Sequence, residues 1–428
     1  MTSLNFKYLF AISFSFVCIL PVIQAKEIIP PDSAYFITES SGLNSLFTDD
    51  YRINPDNDGN LFLSIDNLNF FWNTETDGDI FKGYTLPGFR LMPRIIYFPA
   101  SMIKLEAGMS LLRFWGADKY PCYTYQDIAE WKADDYQYGF HMLPFFRAQI
   151  QPVKQINVVL GNIYGGSNHK IIEPLFNPNL DLTADPECGL QFLYLSKTAK
   201  IDIWTNWESF IFKNDTHKEG LTFGVSAALN VTPENSFFHV NLPVQLIGVH
   251  RGGEIDDAAK NLTTMYNATS GLKFQFNTNR LLKKISLQLM GAYYKCIQGY
   301  ELPYMEGWGL YSNLTAEIWN LKLKAAWWRS DDFINIFGNP VYENVSIILD
   351  GRLFPNIDVL SGGFKYEQPF GNGFYLGGDL DIYYNPNLIA FDPAAYGTSE
   401  PSKVSKSFNC SFGVYLRINP SIILKKKH

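Results

Sequence analysis

Leu221-Thr222-Phe223-Gly224-Val225-Ser226-Ala227-Ala228-Leu229-Asn230-Val231 puts an apolar side chain at every odd position and, apart from Ala228, a polar residue or glycine between them. Successive side chains of a strand point to opposite faces, so the segment predicts a β-strand with one apolar face. The period recurs in Phe238, Val240, Leu242, Val244 and Leu246, set against His239, Asn241 and Gln245. Near the end Phe408, Cys410, Phe412, Val414, Leu416 and Ile418 alternate with Asn409, Ser411, Gly413, Tyr415 and Arg417.

A β-sandwich alternates too, so the connections between strands decide the architecture. Strands are predicted over residues 60–73, 89–99, 102–116, 140–153, 156–166, 187–198, 200–212, 220–233, 236–252, 263–277, 283–298, 307–319, 321–335, 357–367, 373–386 and 405–418. That is about sixteen, an even number as such barrels require. Short links, such as Ala100-Ser101, Lys154-Gln155 and Asn320, alternate with long ones at 74–88, 117–139, 167–186, 213–219, 253–262, 299–306, 336–356 and 387–404. Sorting of this kind is the mark of a transmembrane barrel, with short periplasmic turns and long extracellular loops. The predicted fold class is therefore all-β, a closed antiparallel transmembrane β-barrel with both termini in the periplasm.

Composition agrees. Aromatic residues make up 16% of the 428 residues and charged residues 18%, against roughly 25% charged in an ordinary globular domain. Lys7 and the apolar run 8–23 that ends at Gln24-Ala25 read as a cleavable secretion signal, with the mature chain starting near Lys26. No later stretch is an apolar 18-mer, so helical spans are not expected. The chain divides into a signal peptide (1–25), a flexible lead-in or lumenal plug (26–59), the barrel (60–418) and a basic, solvated tail (419–428). A net charge of -7 excludes the concentrated basic face of a nucleic-acid binder.

Signal peptide, alternating strands, aromatic-rich strand ends and the last strand Phe408 to Ile418 resemble the porin class of bacterial outer-membrane barrels. The resemblance covers about residues 60–418 and is architectural, without a short motif that names a family. It implies an outer-membrane channel for passive diffusion of small polar solutes, sugars among them, with outer-membrane lipid as its surroundings. Porin-like chains commonly end on an aromatic residue, whereas Pro420 to His428 follow the last strand here.

With the apolar phase facing lipid, the opposite phase lines the lumen. It holds Arg90, Arg94, Lys104, Glu106, Arg147, Asp202, Trp204, Glu208, Lys273, Tyr311, Glu317, Lys322, Lys324, Lys365, Asp379, Asp381, Tyr415 and Arg417. Rings of charge set ion selectivity; mixed signs predict weak selectivity unless they segregate to opposite walls, or else salt bridges that satisfy one another. Lumen-phase aromatics, including Trp204, Tyr294, Tyr311, Trp319, Tyr375, Tyr383 and Tyr415, offer a track for sugar rings. Gly224, Ser226, Gly363 and Gly413 leave room along the wall. Loops 117–139, 167–186 and 336–356 are long enough to fold inward, and Tyr123, Tyr125, Trp131 and Asp134 would then meet the solute first.

Enzyme signatures are absent from the sequence. The six histidines form no HExxH pair for zinc and no GxSxG elbow is present, so neither catalysis, a cofactor nor a metal is expected. A barrel-borne lipase or protease stays open, because triad partners need not be neighbours in sequence. Cys122 and Cys188 are candidates for a disulfide. Asn214, Asn230, Asn261, Asn267, Asn313, Asn344 and Asn409 each open an Asn-x-Ser/Thr sequence. They sustain a competing reading, a soluble secreted all-β glycan-binding protein or glycoside hydrolase, although Asn230 and Asn409 fall inside predicted strands. The sequence leaves solute and oligomeric state open.

Overall fold

The computed structural model describes residues 51–77, 80–115, 140–209, 219–233, 236–252, 262–278, 281–299, 302–349, 351–392 and 400–426. Its strands are β1 (Leu61–Glu75), β2 (Tyr84–Ala100), β3 (Ile103–Phe114), β4 (Phe140–Val153), β5 (Ile156–Asn162), β6 (Cys188–Leu195), β7 (Ala199–Ser209), β8 (Gly220–Asn230) and β9 (Phe238–Arg251). They continue with β10 (Thr263–Asn277), β11 (Leu282–Gln298), β12 (Glu306–Ile318), β13 (Leu321–Asp331), β14 (Asn356–Gly371), β15 (Phe374–Ala390), β16 (Lys403–Ile418) and β17 (Ser421–Lys425). From β1 to β16 each pairs antiparallel with its sequence neighbour, and the sheet closes where Asn67 to Glu75 of β1 meet Ile418 to Cys410 of β16. The result is a closed antiparallel barrel of sixteen staves. Closure matters physically, because an open edge in hydrocarbon would leave backbone donors and acceptors unpaired.

The outermost residues differ from the sequence reading at one point. Ser421–Lys425, within the tail expected to be solvated, are exposed and also pair with Leu61 to Ser64 of β1. β17 adds no stave, since it prolongs β16 past Asn419-Pro420 along the same neighbour. The described part of the lead-in is also anchored: Ile53 donates its N–H to Gln151 Oε1 at 2.8 Å, Gln149 donates to the Tyr51 carbonyl, and the buried Tyr51 ring lies 4.6 Å from that of Tyr164.

Alternation assigns the two faces as expected. Large apolar side chains such as Phe146, Leu160, Ile203, Leu289, Leu314, Leu360 and Phe412 are exposed on the outside. The buried phase of the same strands carries Arg, Gln, Asn, Asp and Ser. Such an inside-out distribution suits lipid outside and polar contacts within.

The lumen is not empty. Residues 163–187, between β5 and β6, and 332–355, between β13 and β14, fold inward and pair with each other through a bridge between Phe176 and Phe337. Phe333, Ile334, Ile336, Phe337, Tyr342 and Phe354 are at most 1% exposed and build an apolar core with Leu175, Leu180 and the lumenal rings of Tyr294, Tyr311, Trp328 and Tyr383. The centre of this plug packs on β9–β15, while Leu182 of the first loop packs on the β1–β3 side with Leu68, Leu86 and Leu112. Inward folding of 167–186 and 336–356 was within reach of the sequence, although β5 and β13 end earlier than predicted. The third loop, 117–139, with Tyr123, Tyr125, Trp131 and Asp134, lies outside the described residues, as does Cys122.

Candidate functional site: the lumenal cavity

Opposite the plug a cavity of about 500 Å³ remains, bounded by β2, β3, β4, β7, β16 and the 163–187 loop. Its barrel wall presents Arg90, Arg94, Lys104, Arg147 and Arg417. Period two puts Arg90 and Arg94 on one face of β2 and Lys104 and Glu106 on the facing side of β3, while Arg147 pairs with Glu106 across the β3–β4 ladder. Glu106, 1% exposed, accepts from Arg94 at 2.8 Å, from Lys104 at 2.7 Å and from Arg147 at 3.2 Å. Arg94 also bonds Asp66. Phe145 lies between the Arg94 and Arg147 guanidinium groups, 5.3 and 5.1 Å from its ring, and Arg147 stacks 3.7 Å over Tyr164.

Further carboxylates line the cavity from the loop and β7. Asp181, Asp185 and Glu187 come from the inward loop and Glu208 from β7, while Asp202 stands behind the cavity. His169 holds them in place: its Nδ1 is 2.7 Å from Asp202 and its Nε2 3.2 Å from Glu187, with its ring stacked 3.5 Å over Trp204. Burial alone would lower the His169 pKa, but these two carboxylates overcome it and hold it at about 9. The ring is thus an imidazolium at neutral pH, with both nitrogens committed. Burial raises Asp181 to about 6, opposed by bonds from Ser167 and the charge of Arg90. Glu187 is buried too, which by itself raises its pKa, but the His169 charge takes it below the usual carboxylate range.

All eighteen residues predicted to line the lumen lie in its phase, but they fall into separate groups. Arg90, Arg94, Lys104, Glu106, Arg147, Trp204, Glu208 and Arg417 line the main cavity. Tyr311, Lys322, Lys324, Lys365 and Asp381 border a smaller one of about 90 Å³ beneath the loop, where Lys324 bonds Glu173 at 2.7 Å and Asp381 at 3.1 Å. Asp202 and Lys273 border a third. Glu317 pairs with Lys284, Asp379 with Lys365, and the Tyr415 hydroxyl donates to Glu367. Many of the charges satisfy one another; in the main cavity Glu106 and Asp66 sit among the cations of the barrel wall, and Asp181, Asp185 and Glu187 come from the loop.

Two expectations fail for packing reasons. The aromatic track is not formed by Tyr294, Tyr311 and Tyr383, which are covered by Phe333 and Tyr342 of the plug, and Trp319 sits exposed in the β12–β13 turn at φ 52°. The room expected at the lumenal glycines is used as well. A Cβ on Gly224 would stand 2.3 Å from the Trp204 ring, one on Gly413 2.1 Å from Trp72, and one on Gly363 2.3 Å from Asp381. His169, Asp181 and Glu187 were missed because they lie in a loop without period; the signal available was an acidic, histidine-bearing link of porin-like length. Cys188 is exposed at the start of β6.

A family model described as Lipid A 3'-O-deacylase-type matches residues 53–427, nearly the whole described barrel. The chain belongs to this family. Among solved structures, the deacylase-type chain is similar to the outer membrane protein OprD from Pseudomonas aeruginosa, at 10% identity and TM-score 0.46 over 88% of this chain and 97% of that one. It is similar also to OmpT of Vibrio cholerae, at 8% identity and TM-score 0.44 over 84% and 99%, and to an anion-selective porin from Comamonas acidovorans, at 10% and 0.45 over 85% and 100%. No curated protein matches it.

Proposed function

We propose that this outer-membrane barrel is a narrow channel for small polar solutes, constricted by the 163–187 loop. The observation that carries the reading is the charged cavity of about 500 Å³ left between that loop and the β2–β4 wall. Cations on the wall and carboxylates on the loop set up a field across the cavity, and that arrangement favours solutes carrying both charges, each aligned to the wall that complements it. The test is conductance of the purified protein in a planar bilayer. Discrete openings that widen when the loop is shortened support the channel; silence of both proteins overturns it.

A second reading rests on the family, whose description names 3'-O-deacylation of lipid A. It calls for a hydroxyl nucleophile activated by a base. The buried imidazole of His169 does not serve, since both its nitrogens face carboxylates. On the outward phase at the long-loop end of β9, His250 Nδ1 lies 2.8 Å from Thr264 Oγ1, within the reach of a base and a nucleophile. Loss of 3'-O-deacylated lipid A, read by mass spectrometry in cells expressing His250→Ala and Thr264→Val, supports this reading; unchanged lipid A profiles on expression of the intact protein sink it.

A further inference from the structure

β5 and β6 are 7 and 8 residues long, short of the 9–11 a tilted strand needs to cross hydrocarbon. Their neighbours are longer. β4 pairs with β5 only as far as Arg147 opposite Gly161, so its residues 140–146 have β3 on one side and, among the described residues, no strand on the other. β7 pairs with β6 only as far as Asn206, and 207–209 continue beside β8 with, among the described residues, no strand on their other side. The wall is therefore notched at its long-loop end. Two absent staves leave about 14 Å between β4 and β7, and seven unpaired residues at the usual tilt correspond to roughly 15 Å of depth, half the hydrocarbon core.

The notch lies in the apolar band, since Phe140, Met142 and Phe146 on the β4 edge are each more than half exposed on the outer face. It communicates with the interior: Trp207, on the outward phase of β7 and 48% exposed, also lines the lumenal cavity. At its sill Ile163 N–H bonds the Glu187 carbonyl at 3.0 Å, while two backbone groups on the flanks are capped by side chains, Phe146 N–H by Asn162 Oδ1 at 2.8 Å and Cys188 N–H by Asn206 Oδ1 at 2.9 Å. Open edges are not tolerated against bare hydrocarbon, so polar groups belong in this gap. Just behind it Arg147 donates to the carbonyls of Asn162 and Ile163, and the wall it belongs to carries more cations than carboxylates.

We propose that the gap between β4 and β7 is a lateral portal through which an outer-leaflet amphiphile with an anionic headgroup enters the cavity, its acyl chain staying among Phe146, Leu160, Leu190 and Trp207. This goes beyond an aqueous channel and would give the deacylase reading a route for its lipid. The sill offers a place to block it, because the exposed Cys188 stands on the outer phase of β6. Phe145, on the inner phase, is replaced by p-benzoylphenylalanine in a protein whose only remaining cysteine is Cys188, reconstituted in phosphatidylcholine nanodiscs with dodecyl phosphate. Retained heat-shift on a gel certifies the fold of each variant.

Irradiation should give a dodecyl phosphate adduct at 145, little with dodecyltrimethylammonium, and roughly tenfold less once Cys188 carries a bulky maleimide. No adduct, or one undiminished by the block, overturns the portal, the second because the amphiphile then arrives through the aqueous mouth. Suppression by inorganic phosphate with no effect of the block also overturns it and identifies a free-anion site. Conductance of the same preparations reports the aqueous path separately, so an electrically silent protein that forms the adduct refutes the channel and leaves the portal standing.

Discussion

Glu106 is the residue on which the cavity wall turns. One carboxylate, 1% exposed, meets three cations, and removing it leaves their charges close together with, among the described residues, Asp66 as the carboxylate bonded to Arg94. Breaking a buried ion pair from one side costs about 3–5 kcal/mol. Glu106→Gln should therefore lower the unfolding temperature of the barrel, read by loss of the compact band on unboiled gels. In the fraction that folds, the reversal potential in a salt gradient should move toward anions; an unchanged potential would mean that Glu106 lies outside the conducting path. Gly224 makes a complementary case, because its missing Cβ is what admits Trp204 beneath His169. Gly224→Ala should cost about 1–3 kcal/mol by overpacking, measured as a lowered thermal midpoint, with Ser226→Ala two positions along the strand as the tolerated control.

At the scale of elements, the 163–187 loop is fixed by charge as much as by apolar contact. Glu173 ties it to Lys324, Asn339 and Tyr383, and His169 ties it to β7. His169 sits at about 9, above its ordinary 6.5. The stability it contributes is complete below 6.5 and is lost as pH rises through about 9. Asp181, raised from 3.8 to about 6, acts in the same direction over its own range, fully present below 3.8 and lost as pH rises through about 6. The thermal midpoint should fall between pH 7 and 10, and His169→Phe should remove most of that step; a step of undiminished size in the variant would place its origin elsewhere. Shortening the loop between Gly166 and Pro178 should raise single-channel conductance.

For the whole molecule, closure is the property that governs assembly. The first and last staves meet over Asn67 to Glu75, and β17 extends the seam across Leu61 to Ser64. Ending the chain after Asn419 removes that extension and leaves the start of β1 with β2 alone. Such a truncation should reduce the folded fraction in membranes, read as a smaller heat-modifiable band, while the folded remainder keeps its conductance. Full recovery of folded protein would show that β17 contributes nothing to the seam.

Sequence by itself determined the barrel, its even stave number, the near positions of all sixteen staves and the side on which each side chain faces. Those follow from a period of two, which is local and survives any tertiary arrangement. It determined the composition of the lumen, Arg90 to Arg417, but not its grouping. Which wall each charge occupies depends on strand neighbours brought together across the closed sheet, so the triple contact of Glu106 appears only in the ladder of β2, β3 and β4. Tertiary structure alone decided that two loops fold inward, that His169 and Glu187 join Asp202, and that the wall is notched at β5 and β6. Loops carry no period, and their course is set by what the finished barrel offers them: apolar rings such as Tyr311 and Trp328 for Tyr342 and Phe333, and cations such as Lys324 for Glu173.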